Sequence, residues 1–141
     1  VAITPASGFV GVMGSIGIGF AAGAICFVAA DVINRTSLDD ALDVFAVHGI
    51  GGIVGAMLTG VFAVEAIGGT KGLLEGNGAI ISTQAIAVGA TLIYSLLVTL
   101  VILYVLDKIP GLGLRVEDRG EDDGLDISAH GERGFIRDGA D

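Results

Sequence analysis

The chain has 141 residues, enough for one small domain, yet 52% of them are apolar, 16% are charged and 24 are glycine. That composition is too hydrophobic for an ordinary soluble surface. A formal net charge of −9 with only 7 Lys and Arg excludes the clustered basic surface that neutralising a phosphate backbone requires, so no nucleic-acid partner is expected. The charge is also unevenly divided: residues 1–106 carry eight charged side chains, while the last 35 residues carry fifteen, ten of them acidic. Two physically different segments share the chain, an apolar one over 1–110 and a charged tail over 111–141.

No charge occurs between Val1 and Ala30, and a bilayer crossing takes about 20 consecutive apolar residues. The chain opens within this stretch, with neither an initiating Met nor the basic flank of a signal peptide, and reads as the C-terminal piece of a longer protein. Pro5 sets where the helix lies, because proline lacks the backbone donor and clashes with the preceding turn. Residues 1–4 then read as the end of an earlier helix, 6–8 as a turn and 9–33 as the first complete span. Cys26, the single cysteine, lies inside that span and reads as a small packing residue.

Ser37 and Asp40 have the spacing of a capping box, which puts the next helix start near Leu38 to Ala41 and the helix over about 42–64. Its apolar run, 44–64, is interrupted by one ionisable side chain, His48. Gly68-Gly69, Gly72 and Asn77-Gly78 mark an irregular connection. The third span covers about 79–107. Residues 79–106 would be about 42 Å long at 1.5 Å per residue, against a hydrocarbon core of about 30 Å, so this helix has to tilt or project. Lys108-Ile109-Pro110-Gly111 ends it. The expected fold class is all-α: a polytopic transmembrane helix bundle with the lipid bilayer as its solvent.

Basic residues in flanking loops favour the cytoplasm. Arg35, Lys108, Arg115 and Arg119 lie on one side of the bilayer and Lys71 on the other, which puts the C-terminus inside. The tail has no apolar face long enough for a core of its own, but Leu112, Leu114, Val116, Leu125, Ile127 and Phe135 are spaced as docking contacts.

Helices in lipid associate through close backbone approach, which small residues allow. Gly19 and Gly23 in the first span stand in a GxxxG relation, as do Gly51 and Gly55 in the second. Both spans are therefore expected to be packed on all sides, and the third, with Gly89 alone among Leu, Ile, Val and Tyr, to face lipid. Asp39, Asp40 and Asp43 put favourable negative charge at a helix start.

An ionisable residue inside a span marks a candidate functional site. A neutral imidazole both donates and accepts a hydrogen bond, so His48 fits a conduction path or proton relay, and it equally fits a hydrogen bond tying two helices together. Metal or haem ligation needs further ligands, and His130, the second histidine, lies in the tail; no metal or cofactor is expected. No Ser, His and Asp set shares one depth, so no enzyme is expected.

The segment DDALDVFAVHGIGGIVG, from Asp39 to Gly55, resembles the second-histidine helix of the ammonium transporter (Amt/Rh) family. Two further stretches agree: VAITPA at 1–6 resembles the helix end and turn before that family's ninth helix, and GLRV at 113–116 with GLDISAHGE at 124–132 resembles its cytoplasmic tail. The resemblance implies that the three spans are the last three helices of an eleven-helix protomer. The protomer would belong to a homotrimer in the cell (inner) membrane, each copy with its own hydrophobic pore for ammonium or ammonia and no resident cofactor.

His48 matches the second of two paired pore histidines, Val44 would line the pore, and Asp40 and Asp43 would hold the helix start. Gly124, Asp126, His130, Gly131 and Glu132 match the regulatory tail, which in relatives packs on a neighbouring protomer, and PII-type signalling proteins block the pore from that side. Ser128 falls where some plant relatives carry a regulatory phosphothreonine. The first histidine, the outer aromatic cage and the phenylalanine gate belong to a portion this chain does not contain, so the segment alone is expected to conduct nothing. The competing readings are a non-transport helical assembly subunit and a passive Rh-type gas channel; the tail motif favours the Amt branch.

Overall fold

Pro5 sits at the start of a 3-10 turn, Thr4–Ala6, where its missing N–H is not needed. The computed structural model describes residues 1–40, 42–111, 114, 115, 119, 120 and 123–132. Two units emerge, Val1–Ile93 and Tyr94–Asp141.

In the first unit the 3-10 turn leads to helix α1, Val12–Asn34. Phe9 and Val10 stay out of the helix, contrary to the expected start at residue 9. Val10 forms an isolated antiparallel bridge with Ala63, and the Phe9 carbonyl accepts the Val64 N–H at 2.8 Å, so extended backbone is required there. The second span runs over Phe45–Phe62, as a π-helical segment, Phe45–Ile50, that continues into α2, Gly51–Phe62. It begins later than residue 42 because Asp43 has φ 52, outside right-handed helical space. It stops at Phe62 because Ala63 (ψ 140) turns extended to meet Val10 and to accept the Gly72 N–H at 2.9 Å.

A short helix α3, Glu65–Gly68, and a 3-10 turn, Leu73–Glu75, form the connection. Glu75 Oε2 accepts the Glu65 N–H at 2.8 Å, Lys71 pairs with Glu65 at 3.4 Å, and the Asn77 side-chain amide donates to the Lys71 carbonyl at 3.0 Å. Helix α4 then runs over Ala79–Asp107, about 43 Å at 1.5 Å per residue. Among the described residues three helices are long and apolar enough to cross a membrane.

The core is small and sits where the N-terminal turn, α1 and α2 meet. Ala2, Ala6 and Ile18 are buried there, with Val10, Ala22, Leu58 and Phe62 packed around them. The expectation that the first two spans are enclosed on all sides is not met within this chain. Ile18 is the buried residue of α1, while Phe20 and Phe27 are 79% and 76% exposed, because α1 meets the chain's other elements along one face. No residue of α4 is buried.

In the second unit α4 ends with Lys108 Nζ 5.5 Å from the Tyr104 ring centroid. In the tail, residues Asp126–His130 form one π-helical turn. Gly131 closes it at φ 67, a left-handed conformation that glycine adopts without strain, and the Glu132 N–H returns to the Asp126 carbonyl at 2.8 Å.

Candidate functional site

The site begins with how the second span starts. Asp40 Oδ1 accepts the Val44 N–H at 2.8 Å and Oδ2 accepts the Phe45 N–H at 2.9 Å, so one carboxylate satisfies two of the donors that every helix start leaves open. This corrects the capping-box reading: Asp40 is the cap and Ser37 is not, because the chain between them is not helical. Replacing Asp40 by Ala is expected to cost about 1–2 kcal/mol, read as a lowered Tm of the solubilised protein. Asp40→Asn is expected to retain part of the loss.

Asp43 follows in the left-handed conformation, which a short polar side chain tolerates through local hydrogen bonding. Its N–H donates to the Asp40 carbonyl at 2.9 Å and its own carbonyl accepts the Val47 N–H at 2.9 Å. Its carboxylate accepts a hydrogen bond from Asn34 Nδ2 at 3.1 Å. Nothing in the linear spacing signals that last contact, since Asn34 and Asp43 are separated by a loop.

The π-helical segment carries His48, and such segments recur at functional sites. Its faces differ. Ala46, Gly51 and Gly55 are buried, while Val44 is 50% exposed and His48 is exposed as well. Among the described residues no side chain hydrogen-bonds the His48 ring. Phe45 lies over Gly49, where an added methyl would come within 3.1 Å of its ring.

The four glycines singled out for helix packing divide into two pairs. At Gly51 an added methyl would lie 3.0 Å from Cys26 Sγ, and at Gly55 it would overlap the Ala2 carbonyl oxygen and lie 2.7 Å from Ala2 Cα. At Gly19 and Gly23 an added methyl would meet no described neighbour within 4 Å, and both line a shallow apolar groove with Ile16, Phe20 and Ala24. Next to Gly55, Thr59 donates its buried hydroxyl to the Gly55 carbonyl at 2.7 Å.

In the tail, Gly124, Asp126, His130, Gly131 and Glu132 all belong to, or flank, the closing π-helical turn. Ser128 Oγ donates to the carbonyls of Gly120 (2.8 Å) and Gly124 (2.9 Å). Leu114, Leu125 and Ile127 are exposed. Leu112, Gly113, Val116 and Phe135, and Ala41 at the anticipated helix start, lie outside the described residues. Among the described residues no three His, Cys, Asp or Glu come together as a metal site.

Three membrane-length apolar helices, with His48 on the second, define a helical integral-membrane protein. The chain belongs to the Ammonium Transporter Family, whose profile matches residues 1–135. It is 51% identical to the ammonium transporter of Aquifex aeolicus over 137 residues, 96% of this chain and 31% of that protein. It is 44% identical to the ammonium transporter Amt1 of Archaeoglobus fulgidus over 131 residues, 93% of this chain and 33% of that protein. Its fold is similar to the crystal structure of Saccharomyces cerevisiae Mep2, with a TM-score of 0.76 and 32% identity over 84% of this chain and 28% of that one. Candida albicans Mep2 gives a TM-score of 0.75 and 34% identity over 86% of this chain and 29% of that one. The chain thus spans about a third of the length of the curated relatives it matches.

Proposed function

We propose that this chain supplies the last three helices of an ammonium transporter protomer and one wall of its conduction path, with His48 as a proton-relay residue and Val44 beside it. The observation that carries this reading is the open start of the second span. Ala46, Gly51 and Gly55 are buried within the chain, whereas Val44 and His48 are exposed, and no described residue hydrogen-bonds the His48 ring. A polar ring on a membrane-length apolar helix needs partners beyond the described residues, since an unsatisfied imidazole in hydrocarbon is costly. The alternative role, a histidine tying helices of this chain together, finds no partner for the ring among the described residues.

The physical logic is selection by chemistry. Ammonium and potassium are close in size, and both pay a large desolvation cost in a dry pore. Ammonium can shed its proton to a histidine and cross as neutral ammonia, a route closed to potassium. Asp40 and Asp43 hold the start of the relay helix. The open Gly19 and Gly23 face of α1 would take the protomer's other helices. By the same reading the protein is a homotrimer in the cell membrane, the C-terminus is cytoplasmic as the loop Lys and Arg suggest, and the turn formed by Gly124–Glu132 is a regulatory element that a PII-type protein engages.

A chimera tests it: this chain replaces the matching third of the Aquifex aeolicus ammonium transporter. The chimera is expected to take up methylammonium in cells lacking their own ammonium transporters, at a rate within about tenfold of the parent. A chimera that reaches the membrane in parental amount and carries no methylammonium contradicts the proposal.

A further inference from the structure

We propose that Asn34 is a positioning residue for transport, holding through Asp43 the turn from which Val44 and His48 project; this rests on the transport reading above. Asn34 is the last residue of α1, and its side-chain amide donates to Asp43 Oδ1 at 3.1 Å, so the end of one span is joined to the start of the next across the loop. The neighbouring groups are engaged elsewhere: Arg35 pairs with Asp31 at 2.8 Å, the Thr36 hydroxyl donates to the Ile33 carbonyl at 2.7 Å, and Asp40 caps Val44 and Phe45.

Asp43 is where such a contact has leverage. It is the non-glycine residue at positive φ (52) among those described, a conformation that persists only when its surroundings hold it. Its carbonyl accepts the Val47 N–H at 2.9 Å, so any rotation of Asp43 carries the first turn of the relay helix with it. The carboxylate also belongs to an acidic group with Asp39 and Asp40. A neutral donor such as Asn orients it without cancelling the negative charge that favours a helix N-terminus. A hydrogen bond to a charged group is stronger than one between neutral groups, and a small displacement of a pore residue is amplified in rate.

The experiment uses the chimera, with every rate taken per molecule recovered in the membrane. Asn34→Ala is expected to lower the maximal rate of methylammonium uptake about three- to tenfold with KM unchanged. Asn34→Asp, which sets two carboxylates face to face, lowers it further. Exchanging the pair, Asn34→Asp with Asp43→Asn, rebuilds the contact with donor and acceptor reversed and restores most of the rate.

A parental maximal rate in Asn34→Ala overturns the proposal, as does an exchanged pair no faster than Asn34→Asp alone. His48→Ala, run alongside, separates the two readings. If it behaves as a relay variant while the Asn34 variants are silent, only the positioning role falls. If it too leaves transport and selectivity unchanged, the relay reading falls.

Discussion

Gly55→Val is expected to leave little or no assembled protein in the membrane. The position is the closest backbone approach in the core, where an added methyl would overlap the Ala2 carbonyl oxygen and sit 2.7 and 2.8 Å from Ala2 Cα and C. All three are main-chain atoms, so no rotamer change can make room; the N-terminal turn has to leave α2. That turn brings Ala2 and Ala6, two of the three residues in the buried cluster, and without it Ile18 loses its cover.

Overpacking a well-filled site costs about 1–3 kcal/mol and more when backbone must move, against a total stability of about 5–15 kcal/mol. Gly55→Ala is therefore expected to cost at least about 3 kcal/mol, read as a large fall in Tm and in detergent-extractable protein. Gly89→Ala is the control. At Gly89, within α4, an added methyl would meet no described neighbour within 4 Å, and alanine favours a helix over glycine by up to about 1 kcal/mol, so that variant is expected to hold or raise Tm.

The contrast between these glycines shows where sequence reasoning reached and where it stopped. Three apolar spans were legible because hydrophobic length alone decides what can cross a bilayer, and the family was legible because the Asp39–Gly55 run combines acids, a histidine and spaced glycines at fixed intervals. The GxxxG spacing is the same at Gly19 and Gly23 as at Gly51 and Gly55, yet among the described residues only the second pair meets a neighbour outside its own helix. Spacing says which residues share a face and not what lies opposite.

Helix ends were less legible, for reasons seen in particular contacts. Residues 9 and 10 read as helix by hydropathy, but their backbone groups pair with Ala63 and Val64, a long-range contact that no local pattern encodes. Ser37 and Asp40 satisfy a capping spacing, yet the carboxylate caps residues four and five positions ahead of it, because Asp43 bends the chain through φ 52 first. The link from Asn34 to Asp43 was illegible for the same reason: it depends on how a loop folds back.

The largest functional effect is expected at His48, where the account places the chemistry. The ring is exposed on the second span, beyond hydrogen-bonding reach of any described side chain, and it stands within an apolar stretch in which a migrating cation finds little solvation. If selection depends on removing a proton, a side chain that cannot take one leaves the pore with only size to work with, and size does not separate ammonium from potassium.

The direct test is the ratio of ammonium to potassium transport through the chimera before and after His48→Ala, at equal protein in the membrane. The ratio is expected to fall at least about tenfold, a loss of about 1.4 kcal/mol of discrimination. An unchanged ratio, with ammonium still carried and potassium still refused, would contradict it.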